Sequence, residues 1–120
     1  MVRQVFVYGS LMRGEAHHER LAGARFLGAA RTPPAYTLVS LGEYPALVAG
    51  GGTCVEGELY AVDADTLAAL DRFEEHPDLY RRTAIALESG ARAWAYLLAA
   101  PRGGEPPIAS GRWRERGVSR

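Results

Sequence analysis

The sequence predicts a single α+β domain built on a largely antiparallel sheet, and three observations carry that expectation. Many short β-branched or aromatic runs are separated by turns containing Gly or Pro. Only one segment, ending near Phe73, has the apolar period of a sizeable helix. The 120 residues show no repeat and no compositional break, so one core is expected, with 1–113 as its body and 114–120 as a flexible tail. Short strands around one main helix point to a sheet that is either open or closed into a small barrel.

The elements follow in order. Residues 3–8, RQVFVY, read as a strand, central because so much of it is apolar. Gly9 and Gly14 bracket a loop, and residues 17–21 can make one or two helical turns. Strands are expected over 24–31, 36–41, 46–49 and 54–62, punctuated by Pro33-Pro34, Gly42-Glu43-Tyr44-Pro45 and Gly50-Gly51-Gly52. Asp63 or Asp65 can cap the helix that runs to about Phe73. Pro77 should end it, since a residue before proline is pushed out of the α region. Residues 81–87 and 92–99 alternate around Ser89-Gly90, a hairpin signal. From Pro101 the composition turns loop-like, through Pro106-Pro107 and on to Trp113.

The net charge of +0 gives no global electrostatic reason to expect nucleic acid, a membrane surface or a polyanionic partner. All 14 basic residues are Arg. One cysteine excludes an internal disulfide framework and suits a reducing compartment. No apolar run approaches the roughly 18 residues of a membrane span, and the N-terminus lacks a signal-peptide apolar segment. A cytoplasmic monomer or weak homodimer is expected, with neither a nucleic-acid nor a membrane partner.

Glu74 is the residue that best repays attention. If Leu67, Leu70 and Phe73 form the buried side of the helix, a further 100° places Glu74 on that same arc, while Arg72 and Glu75 turn away. Desolvating an unpaired carboxylate costs several kcal/mol or raises its pKa, and a raised Glu is what acid/base chemistry near neutral pH uses. The plainer alternative is a helix that stops before Glu74, leaving the side chain to solvent or to an arginine. A second half of a site is available in the loop after the first strand. Gly9 permits a tight exit, and the amides of Ser10 and Leu11 can form a small anion-binding concavity. With a buried Glu beside it, that makes a coherent small-molecule site.

Tyr8-Gly9-Ser10-Leu11, with Arg13-Gly14 following, resembles the signature of the γ-glutamylcyclotransferase-like (AIG2-like) family. The similarity continues through Tyr44-Pro45-Ala46, Gly57-Glu58-Leu59-Tyr60, Leu70-Asp71-Arg72-Phe73-Glu74, Tyr80-Arg81-Arg82, Ala95-Tyr96 and Ser110-Gly111-Arg112-Trp113. Within the family, Phe73-Glu74-Glu75-His76-Pro77-Asp78-Leu79-Tyr80 is most similar to short bacterial members and γ-glutamylamine cyclotransferases.

The resemblance implies a small β-barrel flanked by a few helices, with a cleft at the barrel mouth. It implies substrate binding by Tyr8, Gly9, Ser10 and Leu11 through backbone amides, Glu74 as the catalytic carboxylate, and Tyr80 close to the active site. Tyr44 joins the expected substrate-binding residues. His17 departs from the family, which often carries Asn there, and this bears on substrate scope. The implied reaction cyclises a γ-glutamyl amine or amino acid to 5-oxoproline and frees the amine, with no metal or cofactor. The alternative is a binding module that holds a small carboxylate-bearing ligand in the same cleft without efficient turnover, or a domain that uses the fold alone.

Other candidates read more simply as structure. His17, His18 and His76 have poor spacing for a shared metal and no Cys or Asp cluster beside them. Cys54 reads as a strand residue. Ser10 lacks a Ser-His-Asp context and suits binding better than nucleophilic attack. Most aromatics should be core, with Tyr8, Tyr44 and Tyr80 facing the cleft. Arg112, Arg114 and Arg116 read as a solvated tail.

Overall fold

The computed structural model describes residues 3–115. Along them run β1 (Arg3–Val7), a 3-10 turn (His18–Leu21), β2 (Arg25–Arg31), β3 (Tyr36–Ser40), β4 (Pro45–Ala49), β5 (Glu56–Val62), α1 (Ala64–Phe73), β6 (Tyr80–Ala86), β7 (Arg92–Leu98) and a second 3-10 turn (Trp113–Glu115). Strand boundaries fall within two residues of those expected from alternation. Cys54 lies half-buried just before β5 rather than within it.

The seven strands form one mixed sheet. The pairs β1–β5, β2–β5, β3–β4 and β6–β7 are antiparallel, whereas β7 runs parallel to both β1 and β4. β6 lies along the whole of β7, from Tyr80 opposite Leu98 to Ala86 opposite Arg92, and so takes one edge. The other edge is shared, with Val5 of β1 opposite Trp94 and Leu47 of β4 opposite Leu97. At this fork the Tyr8 hydroxyl donates to the Tyr96 carbonyl and accepts from the Leu47 amide at 3.0 Å. A phenol thus bridges where backbone pairing is interrupted.

The expected closure into a β-barrel is not what forms. The strand path is β2-β5-β1-β7-β4-β3 with β6 branching from β7, and no pairing joins β2 to β3. A barrel needs each strand to give each edge to one neighbour around a ring. Because β7 divides one edge between two strands, the sheet branches instead. The helices are also fewer than expected, with one α-helix and two short 3-10 turns among the described residues. The open edge of β3 is covered by the segment after β7, where Ser40 donates to the Pro106 carbonyl and Ile108 to that of Leu38.

Phe6, Leu38, Leu47 and Leu70 are among the fully buried side chains of the core. Asp63, rather than Asp65, caps α1, its Oδ1 accepting from the Thr66 amide at 2.7 Å. The helix ends earlier than Pro77 requires. The Glu75 amide returns to the Arg72 carbonyl and the His76 amide to that of Asp71, with Glu75 left-handed at φ 55°. This is a Schellman closure in which Glu75 holds the position usually given to glycine.

Candidate functional site

Where the sheet forks, a cleft of about 280 Å³ opens. Its lining includes every residue singled out in the sequence as a site candidate: Tyr8, Gly9, Ser10, Leu11, Tyr44, Glu74 and Tyr80. The segment that leaves β1 delivers the first four, the β3–β4 turn delivers Tyr44, the end of α1 delivers Glu74, and the start of β6 delivers Tyr80.

The loop after β1 is a β-turn, closed by the Met12 amide on the Gly9 carbonyl at 3.1 Å. Ser10 and Leu11 are its central residues, and the turn's own bond, from residue i+3 to residue i, uses neither of their amides. No described group accepts from either of them. Gly9 is required by a close approach: a Cβ there would lie 2.5 Å from Cγ of Pro45, a buried residue. Gly9→Ala is therefore expected to lower stability by about 1–3 kcal/mol through overpacking. Denaturant unfolding checks this, and a variant as stable as the parent would show that Pro45 yields freely.

Glu74 is the C-cap of α1, its amide still bonded to the Leu70 carbonyl at 2.9 Å. The helix ends at this residue, as the plainer sequence alternative had it, but the side chain turns into the cleft rather than out to solvent. Burial pushes its carboxyl up to about 7. The neighbouring phenols explain why nothing offsets that shift. Tyr80 donates to the Pro45 carbonyl at 2.7 Å, Tyr96 to Asp71 at 2.7 Å, and Tyr8 to the Tyr96 carbonyl. All three protons are committed elsewhere, so none solvates the carboxylate. Burial, and then the charge of Glu74, in turn hold the Tyr80 hydroxyl well above its ordinary range.

Glu75 was expected to lie outside the cleft, but it contributes to the rim although its side chain is exposed. Phe73, Leu79 and Tyr96 also line the cleft without having been picked out as site residues. The alternation expected over 92–99 breaks at Tyr96, which is buried beside Ala95 on β7, so strand phase alone does not turn Tyr96 toward the cleft. Asp71 orients it, in turn held by Arg82 at 3.0 Å.

His17 packs behind the cleft, its ring centroid 5.7 Å from that of Tyr44 and 5.1 Å from that of Phe73, and its amide bonded to the Ser10 carbonyl. The other histidines are also engaged: His18 Nδ1 lies 3.0 Å from the Leu11 carbonyl, and His76 Nδ1 accepts from the Arg82 amide. Among the described residues no group of three or more His, Cys, Asp or Glu is arranged to hold a metal ion. No described helix is long and apolar enough to cross a membrane. Arg112 and Arg114 pair with Glu56 and Glu15 instead of standing in a solvated tail, while Arg116 and the rest of 116–120 lie outside the described residues.

Residues 5–115 match the model of the family described as gamma-glutamyl cyclotransferase, AIG2-like. The chain belongs to the AIG2-like gamma-glutamylcyclotransferase family. A Vibrio cholerae protein with a provisional gamma-glutamylcyclotransferase name is 43% identical over 116 residues, covering 97% of this chain and 99% of its own. Gamma-glutamylaminecyclotransferase A of Danio rerio is 43% identical over 93 residues, covering 70% of this chain and 58% of its own. The crystal structure of a mouse AIG2-like protein superposes with a TM-score of 0.75 at 33% identity, over 84% of this chain and 80% of that one. The chain thus sits in an enzyme family that spans bacterial and animal members.

Proposed function

We propose that this protein converts a γ-glutamyl amine or γ-glutamyl amino acid into 5-oxoproline and the free amine, with Glu74 as the general acid/base. One observation carries the reading: a carboxyl raised to about 7 by burial shares a cleft with Ser10 and Leu11, whose amides have no acceptor among the described residues. The amides of Ser10 and Leu11 suit the substrate's α-carboxylate, and Tyr8, Tyr44 and Tyr80 line the walls around it. Glu74 takes a proton from the α-ammonium. The freed amine attacks the γ-carbonyl carbon, forming the ring C–N bond. The bond to the leaving nitrogen then breaks as Glu74 returns the proton to it, and the ring nitrogen passes its second proton through Glu74 to the departing amine, which leaves as the ammonium. The nucleophile is the substrate's own amine, so the chemistry calls for no protein nucleophile, metal or cofactor. Folding the substrate into an attack conformer can supply much of the acceleration, because ring closure is intramolecular.

The test is incubation with a panel of γ-glutamyl amines, γ-glutamyl dipeptides and glutathione, following 5-oxoproline. Release from at least one of them, with saturation, is the expected result. Thermal stabilisation by a panel compound with no product would make the cleft a binding module instead. No release and no stabilisation would remove the reading.

A further inference from the structure

The far side of the Gly9–Met12 turn carries a buried carboxylate that ring closure does not use. Glu58 on β5 is only 7% exposed, and a buried carboxylate must be matched by donors. Its Oε1 accepts from the Arg13 amide at 2.9 Å and from the Tyr60 hydroxyl at 3.0 Å. Its Oε2 lies 3.8 Å from Arg13 Nε and 3.8 Å from the Arg114 guanidinium. Arg114 also donates to the Arg13 carbonyl and to the Glu15 carboxylate. Both backbone polar groups of Arg13 are therefore held, the N–H by Glu58 and the C=O by Arg114. Its guanidinium lies 3.9 Å over the Phe26 ring. Arg13 directly follows the turn that presents the free amides of Ser10 and Leu11.

We propose that Glu58 and Arg114 are positioning residues for the cleft: they clamp Arg13 and so fix the turn whose amides receive the substrate carboxylate. A turn already fixed binds an anion without an ordering cost. Neither residue lines the cleft of Glu74, and both line the opposite side of the turn. The 3-10 turn Trp113–Glu115 thereby becomes part of the binding apparatus although it is remote in sequence. The kinetic half of this proposal rests on the cyclotransferase reading, and its dynamic half does not.

The variants are Glu58→Gln and Arg114→Gln. The first risks unfolding because it leaves a buried network short of charge, whereas Arg114 is exposed and safe to change. Amide hydrogen exchange at Met12 and Arg13 should rise about tenfold or more relative to β1 and β5 in each folded variant. On a turned-over substrate, KM should rise about ten- to a hundredfold, with kcat nearly unchanged and the pH profile unmoved. Arg114→Lys, which keeps a charge facing Glu58, should recover part of the KM. Unchanged exchange in the turn overturns the clamp, and so does an increase spread evenly over the molecule, which marks ordinary structural support. Changed exchange with unchanged KM also overturns it. If the unaltered protein releases no 5-oxoproline at all, the cyclotransferase reading fails on its own and the exchange measurement still decides the clamp.

Discussion

Glu74→Gln is expected to fold normally and to lose turnover by about 10²- to 10⁴-fold, the usual contribution of a positioned acid/base group. The amide keeps the shape of the carboxyl but cannot accept the α-ammonium proton. KM should change little, because the carboxylate of the substrate is assigned to the Ser10 and Leu11 amides rather than to Glu74. In the unaltered protein, kcat/KM should climb with pH and level off above about 7, following ionisation of the free Glu74 carboxyl. Steady-state 5-oxoproline release from pH 5 to 9 measures both effects. Near-normal turnover by Glu74→Gln would take the proton-transfer role away from this residue.

The same substitution should stabilise the protein at alkaline pH. The carboxyl rises from 4.5 to about 7 on folding, with burial as the cause. Between those two values the folded state therefore holds more protons than the unfolded state, so stability falls as pH increases. The penalty is absent below about 4.5 and complete above about 7. At roughly 1.36 kcal/mol per unit it amounts to about 3 kcal/mol, an order-of-magnitude figure. Gln carries no charge to desolvate and escapes it. The Tm of Glu74→Gln should match that of the parent near pH 4 and exceed it by about 10 °C at pH 8. Parallel Tm curves for the two proteins across this range would mean that Glu74 ionises freely in the folded state. This measurement needs no substrate and stands apart from the assay.

Much of the fold is written in local pattern. Alternation and turn residues place the strands, because strand faces and glycine- or proline-containing turns are decided by neighbouring residues. Closure was misjudged because it depends on which strands share an edge of β7, and the runs around Val5, Leu47 and Leu97 are apolar whether they pair in a ring or at a fork. Helical phase puts Glu74 on the buried arc, and its amide, still bonded to the Leu70 carbonyl, keeps that phase to the last turn. What the pattern does not announce is the left-handed Glu75 just after it, a conformation that a glutamate gives no sign of adopting. Residues that line the cleft without alternation, such as Tyr96, need the tertiary structure to be seen. The same holds for Arg114, whose partners Glu15 and Glu58 lie about a hundred and nearly sixty positions away respectively. Tyr8 to Leu11 were legible because a strand that exits through Gly-Ser leaves few backbone options.

The doubly bonded hydroxyl of Tyr8 divides the cleft into parts with different freedom to change. Its oxygen already serves two backbone partners on β4 and β7, so replacing this tyrosine to suit a new ligand would unfasten the join between two strands. The side chains of Tyr44, Glu75 and Leu79 carry no such duty and stand open to solvent at the mouth. Divergence in what the protein accepts should therefore accumulate at the mouth, while the floor stays as it is for reasons of architecture alone.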